Sequence, residues 1–160
     1  MAVATKNSLK RGEKKTIRTI GSASDFNLSQ FRTTNVNRPS AHLAILKGLP
    51  FAAVTQLEQV TGLSRTDVGT RVLMIPSSTL ARRKTKNELS FIESERLMRF
   101  SKLFFLAIEL FDGDRSAAIK WFLSPARSFS GESPIDRART EPGARQVEDL
   151  IGRLEQGVFS

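Results

Sequence analysis

The chain has 160 residues, 39% of them apolar, with 25 Lys+Arg against 16 Asp+Glu and a formal net charge of +9. An apolar fraction of that size builds a core and excludes wholesale disorder, while the length allows one domain or two small ones. With no cysteine and a single histidine, His42, disulfides, thiolate zinc sites and a cysteine nucleophile are excluded, and serine–histidine catalysis has little room.

Residues 1–38 carry eight basic and two acidic side chains among Ser, Thr and Asn, with no sustained apolar period. The stretch is expected to be a flexible or extended basic arm. It lacks the apolar core of a secretory signal and the amphipathic helix of an organelle leader. Two readings stay open for it, a solubilising tail or an arm that touches phosphate.

From Ala41 onward the pattern is helical. Ala41, Leu43, Ala44, Leu46 and Leu49 give a short apolar helix ended by Gly48 and Pro50. Phe51, Val54, Leu57 and Val60 recur at helical spacing, with Gly62 as the stop. Ser64 is placed to cap a helix carrying Val68, Val72 and Leu73. Met74-Ile75-Pro76 interrupts it, and Ser77 or Ser78 caps a new helix running from Thr79 to about Lys84.

The positive charge is concentrated there. Residues 61–86 have a net charge of +5 and residues 1–38 of +6, whereas residues 39–60 cancel and residues 87–160 sum to −2. Helix, short turn and basic second helix is the arrangement of a helix-turn-helix. Ser77, Ser78 and Thr79 bring hydroxyls and free N–H groups toward phosphates or base edges. Arg82, Arg83, Lys84 and Lys86 follow them, while Ile75 and Leu80 point inward. A solvated charged face would show some of this pattern, but the cation density beside a short capped helix favours DNA.

A long helix, about Ser90 to Phe111, follows. Phe91, Leu97, Met98, Phe100, Leu103, Phe104, Ala107, Ile108, Leu110 and Phe111 cover more than one face, so this helix is expected to be the spine. Glu93 and Glu95 suit the positive end of its dipole better than an acid–base role. Its most apolar run, Leu103–Phe111, is broken by Glu109, and nowhere does a run reach the roughly 18 residues of a membrane span. Asp112-Gly113-Asp114 is a capping turn before a short helix, Arg115–Leu123, with Ala118, Ile119 and Phe122 on its apolar side. A brief helix holds Ile135 and Ala138. Thr140-Glu141-Pro142 starts the last one, whose Val147, Leu150, Ile151 and Leu154 share a face before Gly157. Val158, Phe159 and Ser160 are then either frayed ends or a short apolar plug tipped by a carboxylate. The expected class is all-α, with a basic arm over 1–38, a helix-turn-helix domain over 39–88 and a helical domain over 89–160.

Several spaced motifs in the back half are similar to a known family. They are Glu93-Ser94-Glu95-Arg96, Trp121-Phe122-Leu123-Ser124-Pro125, Gly131-Glu132-Ser133-Pro134, Thr140-Glu141-Pro142-Gly143-Ala144 and the ending Glu155-Gln156-Gly157-Val158. Their order resembles the toxin-binding domain of the Xre/MbcA/ParS antitoxins. Thr79-Leu80-Ala81-Arg82-Arg83-Lys84 resembles the Xre-like helix-turn-helix of the same family, so the likeness covers roughly residues 43–160. The resemblance implies a type II antitoxin encoded beside a RES-domain toxin, an NAD-consuming protein that it neutralises by direct binding. It also implies a cytoplasmic bacterial homodimer that represses its own operon, needs no cofactor and touches no membrane. The C-terminal end would then approach the toxin's active site, placing Val158, Phe159 and Ser160 at its pocket. Trp121, Arg145, Glu148 and Leu154 are further interface candidates by the same resemblance.

Two positions depart from the pattern. Met74 stands where helix-turn-helix turns commonly carry Gly, and Thr70 stands where a small residue is usual. A distorted turn is therefore expected, because Gly favours the positive φ that such turns use. The competing functional reading is a stand-alone regulator whose back half only dimerises. An enzyme would need a carboxylate or serine site without histidine support, and no convergent set is visible.

Overall fold

In the computed structural model residues 39–157 are described; the arm 1–38 and Val158, Phe159 and Ser160 lie outside the described residues. The apolar periods become helices, with no strand among the described residues. α1 (Pro39–Lys47) and α2 (Ala52–Thr61) are joined by a tight corner at Gly48. That corner requires glycine twice over. Its φ is +96°, and a Cβ there would lie 2.2 Å from the Leu89 carbonyl oxygen. The close approach seats the corner on the start of the long helix. The Leu89 N–H donates to the Leu49 carbonyl at 2.9 Å, and the Leu49 N–H donates to Ser94 Oγ at 2.9 Å.

α3 (Arg65–Asp67) is capped by Ser64, which accepts from the Asp67 N–H, and continues into a π-helical segment, Val68–Leu73. α4 (Ser77–Lys86) ends at Asn87. α5 (Phe91–Leu110) opens with a reciprocal capping box between Ser90 and Glu93. α6 (Arg115–Leu123), α7 (Pro134–Arg137) and α8 (Glu141–Glu155) complete the chain, with a 3₁₀ turn at Arg127–Phe129 between α6 and α7. Asp114 and Thr140 cap α6 and α8 with their side chains, as the turn chemistry predicts.

α5 is the spine: α1, the π segment, α6 and α8 all pack on it. Phe100, Phe104 and Phe122 form the aromatic centre. Their ring centroids lie 5.4–6.0 Å apart, with Phe122 edge-on to the other two. α8 buries Ala144, Val147, Leu150 and Ile151 from the other side. The cover is incomplete at one end. Leu43 and Leu46 on α1, read above as part of its apolar face, are exposed, as are Phe91 and Ile92 at the start of α5. Ala44 and Ile45 make the inward contacts of α1 instead.

The front and back halves are tied together by arginines. Arg71 of the π segment reaches α7, donating to Asp136 at 2.8 Å and to Ser133 at 3.3 Å. Arg96 donates to the Leu73 carbonyl at 2.7 Å, and Arg139 to Met74 Sδ at 3.3 Å. Partial burial alone would push the Asp136 carboxyl up. The hydrogen bonds from Ser133 and Arg71 and the charges of Arg71 and Arg139 outweigh that and hold it below the ordinary range. A carboxyl depressed by folding stabilises fully above its ordinary pKa of about 3.9 and loses that contribution as pH falls through its folded value. Asp136→Asn is therefore expected to lower the melting temperature at neutral pH. The gap from the parent protein should close on acidification below about pH 3.9, as thermal melts against pH will show.

Candidate functional site

The turn between the π segment and α4 fixes how α4 is presented. Met74 adopts φ +55° itself, so the left-handed turn expected of a glycine is made by methionine. The small residue of the motif is also displaced. A Cβ on Gly69 would lie 2.8 Å from Leu80 Cδ2, so Gly69 rather than Thr70 lets α4 approach. Gly69 stands five positions before Met74, and a π turn holds one residue more than an α turn. The carbonyl of Gly69 accepts from the Met74 N–H and, at 3.0 Å, from the Ile75 N–H. The expected distortion is thus a one-residue π insertion that brings a glycine into the contact. Leu80 is buried there, and Ile75 is half-buried against the core.

α4 begins at Ser77, not Thr79, with Pro76 in the cap position and no side-chain cap bond. The hydroxyls of Ser77 and Ser78 are therefore exposed at the helix start without a capping duty, and Thr79 is half-buried. Arg82, Lys84 and Lys86 are exposed and form no ion pair among the described residues. Arg83 is placed differently. Its Nε lies 2.8 Å from Glu93 Oε2, and the two side chains are only 21% and 5% exposed. Arg83 therefore anchors α4 to the capping box of α5 and does not join the outward cations. Glu93 correspondingly does more than favour a helix dipole.

Beside α4 runs a mainly apolar cleft of about 320 Å³, lined by Ser77, Leu80, Ala81 and Lys84 on one wall and by Phe51, Arg65, Thr66 and Thr70 on the other. Sequence reading missed Arg65 and Thr66 as neighbours of this surface. Their place in the first turn after the Ser64 cap was the available signal, since first-turn residues flank free N–H groups. Arg65 is held by Glu58 through two bonds of 2.7 and 2.9 Å.

The candidates of the back half are not equivalent. Trp121 is half-buried, its ring 5.3 Å from Phe122 and 6.3 Å from Phe111. Leu154 is also half-buried against the core. Both serve packing at least in part. Arg145 is widely exposed, 3.4 Å from Glu141 one turn earlier on α8, and Glu148 pairs with Lys102 of α5 at 2.7 Å. Val158, Phe159 and Ser160 lie outside the described residues. Among the described residues no cluster of His, Cys, Asp and Glu is arranged to hold a metal, and no helix is long and apolar enough to cross a membrane.

Residues 40–102 match the family model of the antitoxin Xre-like helix-turn-helix domain, and residues 106–157 match that of the antitoxin Xre/MbcA/ParS C-terminal toxin-binding domain. A curated protein of Photorhabdus laumondii subsp. laumondii named Antitoxin Xre is 31% identical over 123 residues, covering 76% of this chain and 82% of its own length. The chain belongs to the Xre antitoxin family. An Antitoxin Xre of Yersinia enterocolitica is 45% identical over 91 residues, covering 56% of this chain, and one of Pseudomonas putida is 32% identical over 85, covering 52%. The chain spans 62% of the Yersinia relative's length and 53% of the Pseudomonas one's. The two matched family models describe a helix-turn-helix domain and a toxin-binding domain. The two family matches meet within α5: the helix-turn-helix match runs well into it, and the toxin-binding match begins near its end.

Proposed function

We propose that this Xre-family chain is the cytoplasmic antitoxin of a type II pair, blocking a RES-domain, NAD-consuming toxin encoded beside it. It also represses its own operon as a homodimer. The observation that carries this reading is the order of the two family matches along one helical body whose basic side chains face outward on the helix-turn-helix side. In chain terms the domains are an arm over 1–38, the helix-turn-helix over 39–88 and the toxin-binding part over 89–160. On the front half, Ser77, Ser78, Thr79, Arg82, Lys84 and Lys86 meet the operator, with Arg83 supporting them from behind. On the back half, the charges of α8 at Arg145 and Glu148 and the chain end at Val158, Phe159 and Ser160 meet the toxin. Trp121 and Leu154 hold that surface in shape.

Co-expression with the neighbouring toxin gene tests the reading, with growth and cellular NAD⁺ as readouts. Both are expected to recover, and NAD⁺ loss despite abundant folded antitoxin would refute it. Trimming Val158–Ser160 should weaken neutralisation while leaving the melting temperature in place. A chain that binds operator yet captures no toxin would be the stand-alone regulator.

The DNA half has its own test. Each phosphate contact removed should flatten the slope of log K against log[salt] by about 0.9. Arg82→Ala and Lys84→Ala are each expected to weaken operator binding with that change of slope, measured by fluorescence anisotropy across salt. Unchanged slopes would place the DNA surface elsewhere.

A further inference from the structure

Four of the five large apolar side chains exposed among the described residues stand on α1 and α5; the fifth, Leu123 at 37%, ends α6. Leu43 and Leu46 are 54% and 49% exposed on α1, and Phe91 and Ile92 are 42% and 56% exposed on the first turn of α5. α1 packs on α5, and the Gly48 corner sits against Glu88 and Leu89, so the two pairs stand on adjoining helices near that corner. Isolated exposed apolar residues are ordinary, but four large ones on two adjoining helices form a patch that seeks cover.

The charges on the two helices say what covers it. Leu43, Leu46 and Lys47 stand at i, i+3 and i+4 on α1, and share a face. Phe91, Ile92 and Glu95 stand at i, i+1 and i+4 on α5, with Phe91 and Glu95 a full turn apart on the exposed side. Each helix thus presents two large apolar side chains and one exposed charge, and the charges are opposite. Neither Lys47 nor Glu95 has an ion-pair partner among the described residues. Such a patch is complementary to itself under a two-fold axis. Laying α1 of one protomer on α5 of another covers all four apolar residues and sets Lys47 opposite Glu95 twice.

We infer that this α1–α5 face is the surface through which two copies of this chain pair. The inference deepens the proposed repressor by naming the face that joins its protomers, and it rests on that reading for the need of a two-fold. The patch lies within the helix-turn-helix match at 40–102 and apart from the toxin-binding match at 106–157, which argues for a second copy over the toxin. Arg83 meets Glu93 on the inward side of the same first turn, so the outward face of α4 stays open while the patch is covered. Two α4 helices related by a two-fold are what a palindromic operator requires.

The test is the self-association of the full chain by analytical ultracentrifugation, with toxin capture measured in parallel. The wild-type chain is expected to be a dimer, and Ile92→Asp should raise its dissociation constant about tenfold or more, since each substitution acts twice. Lys47→Glu and Glu95→Lys are surface changes that should lower the melting temperature by only a few degrees, through the helix dipoles. Each alone should weaken the dimer about threefold, and the double variant should restore it. A wild-type monomer that still neutralises toxin overturns the inference and leaves the antitoxin reading standing. A dimer indifferent to all three single variants overturns it too, as does an Ile92→Asp chain that stays dimeric but loses toxin capture.

Discussion

Replacing Gly143 with alanine is expected to cost about 3 kcal/mol or more of folding stability, at the upper end for added volume in a packed site. The reason is a backbone contact. A Cβ on Gly143 would lie 1.9 Å from the Arg137 carbonyl oxygen and 3.0 Å from Thr140 Oγ1. The first obstacle belongs to the end of α7 and cannot rotate away as a side chain could. The second is the cap of α8, which accepts from the Gly143 N–H at 3.2 Å. Either α8 lifts from α7 or the cap is lost, and both re-aim the helix that carries Arg145 and Glu148. Gly152 on the same helix is the control, because nothing lies within 4 Å of its Cβ position. There the same substitution should stabilise by up to about 1 kcal/mol, through higher helix propensity and a less flexible unfolded chain. Thermal melts should separate the pair by roughly 10 °C or more, and neutralisation should fail for Gly143→Ala alone. Equal melting temperatures would show that α8 approaches α7 less closely than this geometry requires.

What could be read from the sequence follows the range of each interaction. Caps act over three or four residues, so Ser64, Asp114 and Thr140 marked their helix starts correctly. The spine α5 was equally plain, since its apolar residues outnumber those of one face. The π insertion was not readable, because it is set by the contact between Gly69 and Leu80 across the turn. The pattern suggested Thr70 for the small position, and the fold moved it by one residue. Tertiary partners also decided which apolar residues of α1 were covered. A nine-residue helix with apolar side chains on several sides does not announce that Ala44 and Ile45 face inward while Leu43 and Leu46 stay exposed. Charge counts located the basic stretch but could not sort the arginines, within it or beyond it. Arg71, Arg96 and Arg139 proved to be ties between the halves, and their partners lie 62 or more residues away for Arg71, 23 away for Arg96 and 65 away for Arg139. Helix exposure then divided Arg82 from its neighbour Arg83.

That division yields a prediction with opposite signatures at adjacent residues. Glu93 is 5% exposed, accepts from the Ser90 N–H at 2.8 Å and pairs with Arg83 at 2.8 Å. Glu93→Ala removes both contacts and leaves a half-buried guanidinium without its counter-charge, which is expected to destabilise by about 3 kcal/mol. Arg83→Ala is expected to cost less, since Glu93 keeps its capping bonds. A double-mutant cycle should return a coupling of about 1–2 kcal/mol, well above that of an exposed pair. On DNA the contrast is sharper. Arg82→Ala removes a free cation, so affinity falls and the salt slope flattens by about 0.9. Arg83→Ala loosens the seating of α4, so affinity falls while the slope stays close to that of the parent. An anchor and a phosphate contact thus lower the same binding constant and are told apart by its salt dependence. If Arg83→Ala flattens the slope as Arg82→Ala does, then Arg83 leaves Glu93 on binding, and the pair is a latch that operator DNA opens.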